Sequence, residues 1–516
     1  VDLVEGFAIV FQPWNILLML VGVFIGLVFG TIPGLSGVTA VALLVPFSYA
    51  LGAESSIIMM LGVYVAATLA GSLAAVLFNM PGDVMGAATA RDGYPLTKKG
   101  QADRAIALAI LSSAVGGVIG ALLLIFVAPQ FLRIALEFGP PEYFAMAMLG
   151  MVCVASLGTG SIVKAVIAAV FGLLLATVGL DPVSGANRFT FDIQPLQGGI
   201  DFIPAIIGFF AVSEILMGIY RGTAAGTYTA EDIRKVSRFP FPSWADIKLT
   251  RLTMVRSSIV GNFVGMLPGA GATIAAFLGY GTSRQLARDS SQFGHGDPRG
   301  VSGPESANNS AAAGSMVPLL TLGIPGGATT AILLGVLILN GLRPGPLLFR
   351  DSPDVVSSVF VSMPFISIVV LIVGLLTVRM LLRLLTIPFK IFSTLVMVFA
   401  VVGTFAIYNR PADLWIMIFC GVVGFFAKQY EFPIAAIVLG LVLGGIAETG
   451  LVNGIGVTRG DWGVFFSRPF TLATFALAAV LLLLPFVYQA MSSRKKSGAS
   501  EASEASEEAD EPTSSH

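Results

Sequence analysis

Long apolar runs alternate with short polar or glycine-rich joints along almost the whole chain. A helix needs about 20 apolar residues to cross a hydrocarbon core of about 30 Å. Runs of that kind lie near 14–30, 56–79, 104–128, 142–157, 161–179 and 203–220. They resume near 252–267, 308–323, 327–341, 355–378, 391–408, 411–427, 433–447 and 470–490. Two more, 34–50 after Pro33 and 269–282 after Pro268, are too short to span and read as half-spans or re-entrant hairpins. The pattern predicts an all-α polytopic membrane protein with about eleven to fourteen membrane segments.

The joints are not random. Gly30-Thr31-Ile32-Pro33-Gly34-Leu35-Ser36-Gly37-Val38-Thr39-Ala40 aligns with Gly265-Met266-Leu267-Pro268-Gly269-Ala270-Gly271-Ala272-Thr273-Ile274-Ala275 at an offset of 235. Gly71-Ser72 aligns with Gly314-Ser315, and Asn79-Met80-Pro81-Gly82 with Gly323-Ile324-Pro325-Gly326, at offsets of 243 and 244. Two repeats follow, each with two Pro-Gly breaks in the same order. Proline removes a backbone donor and glycine permits unusual dihedrals, so a helix stops there and bares polar backbone. In hydrocarbon that backbone is met by protein, water or ligand, and paired breaks in two halves point to a transporter's midplane site. The chain divides into a first transmembrane repeat (1–220), a basic connector (221–251), a second repeat (252–491) and an acidic tail (492–516).

Composition agrees and excludes much. Of 516 residues, 55% are hydrophobic and 11% charged, against about 25% charged in soluble proteins. Mean hydropathy is +0.88. A soluble enzyme lacks its polar shell at these proportions. His295 and His516 are the two histidines, and neither an H-E-x-x-H site nor a G-x-x-x-x-G-K-[ST] loop occurs. Energy is therefore expected from an ion gradient rather than ATP, with no cofactor beyond a coupling ion. Nucleic acid is not an expected partner, because no basic stripe exists. Cys153 and Cys420 lie in apolar runs and read as packed thiols.

Charge placement sets the expected orientation. Arg221, Arg234, Lys235, Arg238, Lys248, Arg251 and Arg256 make 221–256 cytoplasmic by the positive-inside rule. Arg494, Lys495 and Lys496 put the C-terminus on the same side, with a low-complexity acidic tail beyond them. No Lys or Arg precedes Arg91, so the N-terminus is expected outside. Asp2 and Glu5 precede the first run, which reads as a mature helix rather than a cleavable signal. Arg284, Arg288 and Arg299 follow the third break, whereas no basic residue follows the first in Leu51–Ser55. Arg91, Lys98, Lys99 and Arg104 follow the second break, whereas only Arg343 and Arg350 follow the fourth. That exchange suits repeats of inverted topology.

The candidate site is built from small groups. Helix N-termini beside Pro-Gly turns favour carboxylates. Gly34, Ser36, Gly37, Thr39, Gly269, Gly271, Thr273, Gly326 and Thr329 are the candidate substrate-binding residues. Asn79, Asn308, Asn309 and Asp83 are candidate ion or substrate contacts, and Pro33, Pro81, Pro268 and Pro325 shape the breaks. Amides and hydroxyls suit an anion, while unwound carbonyls and Asn oxygens suit a monovalent cation. Glu305 either opens a helix with its acid in the first turn or serves as a coupling-ion or proton site. Arg91-Asp92-Gly93-Tyr94-Pro95 with Lys98-Lys99-Gly100 reads as a cytoplasmic loop, anchoring to the surface or gating.

GTIPGLSG (Gly30–Gly37), Asn79–Gly82 with Asp92–Pro95, LPGAGAT (Leu267–Thr273), PESANN (Pro304–Asn309) and LGIPGGATT (Leu322–Thr330) resemble the large membrane subunit of tripartite tricarboxylate transporters, the TctA type. The likeness covers roughly 10–490; Asp83 and the acidic tail depart from it. The resemblance implies a bacterial inner-membrane importer of small carboxylates driven by Na+ or H+. It also implies two partners, a small four-helix membrane subunit and a periplasmic solute-binding protein. Together with the repeat it points to alternating access of elevator type. An anion channel or passive pore, and a non-transporting structural subunit, are the alternatives.

Overall fold

Where the apolar runs lie, helices form. The computed structural model describes residues 2–32, 34–80, 84–157, 161–181, 183–222, 236–237, 239–267, 271–457 and 459–483. Pro33, Pro81, Asp83, Pro268, Gly269, much of the connector and the whole acidic tail lie outside the described residues.

A short helix unforeseen in the sequence, α1 (Leu3–Val10), comes first; the Asp2 carboxylate caps it, accepting from the Val4 amide at 2.8 Å. The first half continues as α2 (Pro13–Thr31), α3 (Gly37–Ser48), α4 (Ala53–Phe78), α5 (Gly86–Lys98), α6 (Ala102–Ala135), α7 (Pro140–Leu157) and α8 (Ile162–Ala176). A loop carrying a minimal antiparallel ladder, Gly179–Leu180 with Asn187–Arg188, leads into α9 (Phe202–Tyr220). Helix α10 (Trp244–Gly265) begins within the expected connector, and α11 (Gly271–Gln285), α12 (Pro298–Gly314), α13 (Met316–Leu322), α14 (Ala328–Leu339) and α15 (Pro346–Asp351) follow it. The chain closes with α16 (Pro353–Leu384), α17 (Phe389–Tyr408), α18 (Pro411–Gln429), α19 (Ile434–Val457), α20 (Val464–Ser467) and α21 (Pro469–Leu483).

Among the described residues, eight helices are long and apolar enough to cross a membrane: α2, α4, α6, α9, α16, α17, α18 and α19. Five shorter apolar helices accompany them, α3, α7, α8, α14 and α21. The expected run at 252–267 starts earlier, at Trp244, and takes in Lys248 and Arg251. The expected run at 308–323 is the end of α12 followed by α13. The Arg91–Pro95 segment, read as a loop, is instead the body of α5, with Asp92 fully buried. Its Oδ1 accepts from the amides of Gly294, Gly296 and Asp297 at 2.8, 2.8 and 2.9 Å. A polar segment becomes a buried helix there because a facing loop supplies its donors.

Glycine decides the packing. A Cβ on Gly22, Gly26 or Gly30 of α2 would fall 2.2, 2.4 or 2.7 Å from the carbonyl oxygens of Met59, Val63 and Ala67 on α4. On Gly261 or Gly265 of α10 it would fall 2.1 or 2.3 Å from those of Ala307 and Ala311 on α12. On Gly116 of α6 it would meet Ser306 O at 2.2 Å. Backbones touch at these points, as small-xxx-small helix pairs allow in a membrane. Helix α4 is thereby flanked by α2, α3, α5 and α16, and α12 by α5, α6, α10 and α11.

Outside this central bundle, α7 and α8 pack on α19, while α9 packs on α17 and α18. Helices α3 and α14 touch each other and reach both sets, α3 meeting α9 and α17, and α14 meeting α19. Gly265→Ala should destabilise the protein by about 1–3 kcal/mol through overpacking. Gly281→Ala on α11, where a Cβ meets nothing within 4 Å, should be neutral or stabilising by up to about 1 kcal/mol. Unfolding midpoints in detergent compare the two; equal shifts contradict the packing account.

Candidate functional site

The residues bordering the first, third and fourth helix breaks gather in one region. At the first, Ser36 caps α3, its Oγ accepting from the Thr39 amide at 3.3 Å and lying 3.1 Å from Thr39 Oγ1. The Thr39 hydroxyl also donates to Phe210 O on α9 at 3.4 Å. Gly34 holds φ +87°, a left-handed turn that favours glycine. A Cβ on Gly37 would sit 2.6 Å from that of Ala67, so this break rests on the middle of α4. One turn away, Tyr64 OH lies 3.3 Å from Ser315 Oγ at the α12–α13 junction.

The third and fourth breaks close on the same junction. A Cβ on Gly326 would meet the Ser315 Cβ at 2.7 Å and Gly265 O at 3.0 Å. One on Gly327 would meet Gly271 Cα at 3.6 Å, so the third and fourth breaks touch. Thr330 holds the start of α14, its hydroxyl accepting from the Gly327 amide at 2.8 Å. Met85, just past the second break, packs against the alanine cluster of Ala272 and Ala275 on α11 with Ala307 and Ala311 on α12. Thr273 and Thr329 are half-buried beside these turns, and Pro325 is buried.

Beside this region lies a buried polar cluster. Glu305 is fully buried in the middle of α12, where Oε1 accepts from Thr89 Oγ1 of α5 at 2.5 Å and Oε2 from Ser113 Oγ of α6 at 2.7 Å. The first-turn role for Glu305 is therefore overturned: Asp297 caps the helix, accepting from the Arg299 amide at 2.8 Å. One turn on, Asn309 Nδ2 donates to Asn308 Oδ1 at 2.9 Å. Asn308 Nδ2 and Asn309 Oδ1 are buried with no hydrogen-bond partner, as are Ser302 Oγ, Ser72 Oγ on α4 and Ser112 Oγ on α6. Unsatisfied polar atoms are costly in a packed interior; Ser302, Asn308 and Asn309 lie within a turn of Glu305 on α12 and Ser112 adjoins Ser113, so this part of the cluster suits a polar occupant.

Asn79 does not share that setting. It is the exposed left-handed C-cap of α4, with φ 57°, a role the aligned Gly323 repeats with φ 70° at the end of α13. The sequence also passed over Asn262 on α10, whose Nδ2 donates to Gly120 O at 3.2 Å and Ser310 O at 3.1 Å and ties α6, α10 and α12 together. Its position three residues before Gly265 was the available signal. Thr89 and Ser113 carried none: Thr89 adjoins a segment read as a loop, and a hydroxyl such as Ser113 in an apolar run ordinarily bonds its own helix.

Two cavities of about 650 Å³ open at the seam between the central bundle and the outer helices. The first is bounded by Tyr49 after α3, Leu334 and Ile338 of α14, Tyr408 of α17 and Leu441 of α19. Both include Gly323 of the fourth break, with Pro344, Val442, Gly445 and Ile446. Their size is that of small-molecule sites.

Residues 16–439 match the tripartite tricarboxylate transporter TctA family. The chain belongs to this family. It is 35% identical over 491 residues, 95% of this chain and 97% of the other, to an uncharacterized 52.8 kDa protein in the TAR-I ttuC' 3' region of Agrobacterium vitis. A second Agrobacterium vitis protein, in the TAR-II ttuC' 3' region, is 34% identical over 234 residues, 45% of this chain and 97% of its own length. No solved structure matches. This TctA-family chain is thus a multi-pass membrane transport protein and not an enzyme, from a family that carries tricarboxylates in systems of three components including a periplasmic binding protein. Removing the Asn262 bridge should be felt in stability: Asn262→Leu is expected to cost about 1–3 kcal/mol, read as a lowered denaturation midpoint in detergent.

Proposed function

We propose that the chain is the membrane carrier of a three-part uptake system, importing a small carboxylate by alternating access coupled to Na+ or H+. A small four-helix membrane subunit and a periplasmic solute-binding protein are its partners, the latter delivering substrate. The observation that carries this reading is the convergence of the helix breaks on the α4 and α12–α13 backbones beside the buried Glu305–Asn309 cluster. Amides and hydroxyls at the breaks, from Ser36, Gly37, Thr39, Gly271, Thr273, Gly326 and Thr329, would hold the carboxylate, and Glu305 with Asn308 and Asn309 the cation. Gly34 lies in the first turn itself.

Inverted repeats are supported by packing. Gly26 and Gly30 lie on α4 at Val63 and Ala67; Gly261 and Gly265, at an offset of 235, lie on α12 at Ala307 and Ala311, at an offset of 244. Lys248 and Arg251 lie in the N-terminal part of α10, Arg284 in the last turn of α11 and Arg288 just past it, whereas no Lys or Arg lies in or beside α2 and α3. The hairpins then enter from opposite faces, with the N-terminus periplasmic and the C-terminus cytoplasmic in the bacterial inner membrane. The outer helices α7–α8–α19 and α9–α17–α18, joined to the bundle at α3 and α14 and parted from it by the seam cavities, suit the scaffold of an elevator.

Energetics require the cation. A dianion entering alone works against an inside-negative potential of about 100 mV by about 4.6 kcal/mol. Two monovalent cations cancel that term. An ionised carboxyl at mid-bilayer costs about 2.5–3.5 kcal/mol, and a bound proton or sodium ion at Glu305 removes the charge before the site moves. Counterflow and gradient-driven uptake in proteoliposomes, with both partners present, test the reading. Wild type should show trans-stimulated exchange. Glu305→Gln should keep that exchange yet lose accumulation driven by a cation gradient, and Asn309→Ala should raise the cation concentration needed for half-maximal uptake. Flux without trans-stimulation indicates a channel, and absent flux a structural subunit; either outcome rejects the carrier.

A further inference from the structure

A third cavity, of about 490 Å³, lies between α10 and α11, lined by residues outside the Glu305 cluster and the seam. Arg256 of α10 and Arg288, just past α11, line it with Arg299. The Arg299 charge is already answered by Asp297 at 2.6 Å, and its guanidinium also donates to Asp289 O at 2.7 Å. Arg256 and Arg288 are exposed and have no ion-pair partner among the described residues. One acid, Asp289, shares the lining; the Ser291 amide, donating to it at 2.9 Å, helps hold its carboxyl below the usual range. Two free guanidiniums therefore face one carboxylate that is turned to its own loop.

Apolar rows lead away from this basic mouth. On α10, Leu252, Ile259 and Phe263 are 57%, 41% and 59% exposed and, at spacings of seven and four, share a face with Arg256. Leu278 on α11 and Leu286, just past its end with its amide donating to Thr282 O, are 44% and 60% exposed beside Thr282, another lining residue. A pair of arginines beside two outward apolar tracks matches a phosphate with two acyl chains. A free anion would use the arginines and leave the leucines idle. Basic pockets between membrane helices are fitted to lipid headgroups for the same electrostatic reason.

We propose that the α10–α11 cavity binds the phosphate of an acidic glycerophospholipid through Arg256 and Arg288, with its chains along the α10 and α11 rows. The proposal does not depend on the carboxylate reading. Full-length protein in nanodiscs of phosphatidylcholine with a minor share of phosphatidylglycerol tests it, by quantifying the phosphatidylglycerol retained after transfer to detergent. The double variant Arg256→Gln/Arg288→Gln should lower affinity about 30-fold. The matched pair Arg343→Gln/Arg350→Gln should leave retention unchanged, and Arg256→Lys/Arg288→Lys should restore part of it. Size-exclusion profiles confirm that the variants fold. Equal retention in all variants overturns the site. Displacement of the lipid by millimolar inorganic phosphate, or equal thermal stabilisation by phosphate in phosphatidylcholine alone, overturns the lipid as the source of the anion.

Discussion

A polypeptide that interrupts its helices inside hydrocarbon must supply partners for the freed backbone groups from its own fold. Here the interruptions are held because helices approach α4 and α12 at backbone contact, through Gly22, Gly26 and Gly30 on one side and Gly261, Gly265 and Gly116 on the other. No side chain larger than hydrogen fits at those crossings. Everything near the candidate site inherits that closeness: the breaks lie against Ala67, Ser315 and Gly271, and Asn262 reaches two carbonyls on different helices.

The packing is matched between halves, but the chemistry is not. At the offset of 244 that relates Ala67 to Ala311, Glu305 falls on Leu61, Asn308 on Tyr64 and Asn309 on Val65. The polar cluster thus belongs to the second half, while the first contributes Tyr64, whose hydroxyl meets Ser315, and the donors Thr89 and Ser113. The same glycine-to-backbone contacts recur in both halves, whereas of the two aligned helix positions only the second carries a carboxyl, Glu305.

Much of the helical layout was legible along the chain. The runs at 14–30, 203–220 and 411–427 appear as α2, α9 and α18 within a few residues, and the joints at Gly34–Ser36 and Gly323–Gly327 separate helices as expected. The departures share a cause. α5 and α10 carry charges that hydropathy assigns to loops, yet Asp92 meets three amides of a facing loop and Arg104 pairs with Asp246 at 2.5 Å. Glu305, three residues before Asn308, has the spacing of a first-turn acid after Gly303-Pro304. Only the helix start at Asp297–Pro298 moves it to the interior.

By itself the sequence determined the membrane class, the order of the helices and the duplicated Pro-Gly breaks, because apolar periodicity and missing backbone donors are local properties. It also carried the family, since motifs such as PESANN and LGIPGGATT are contiguous. The tertiary structure alone decided which polar groups are buried together. Thr89, Ser113 and Glu305 lie on three helices and are far apart in the chain, and nothing in the segments of Thr89 and Ser113 points to Glu305 as their partner. Their meeting depends on how closely glycine lets those helices approach, a property of pairs of elements that no single stretch of sequence contains.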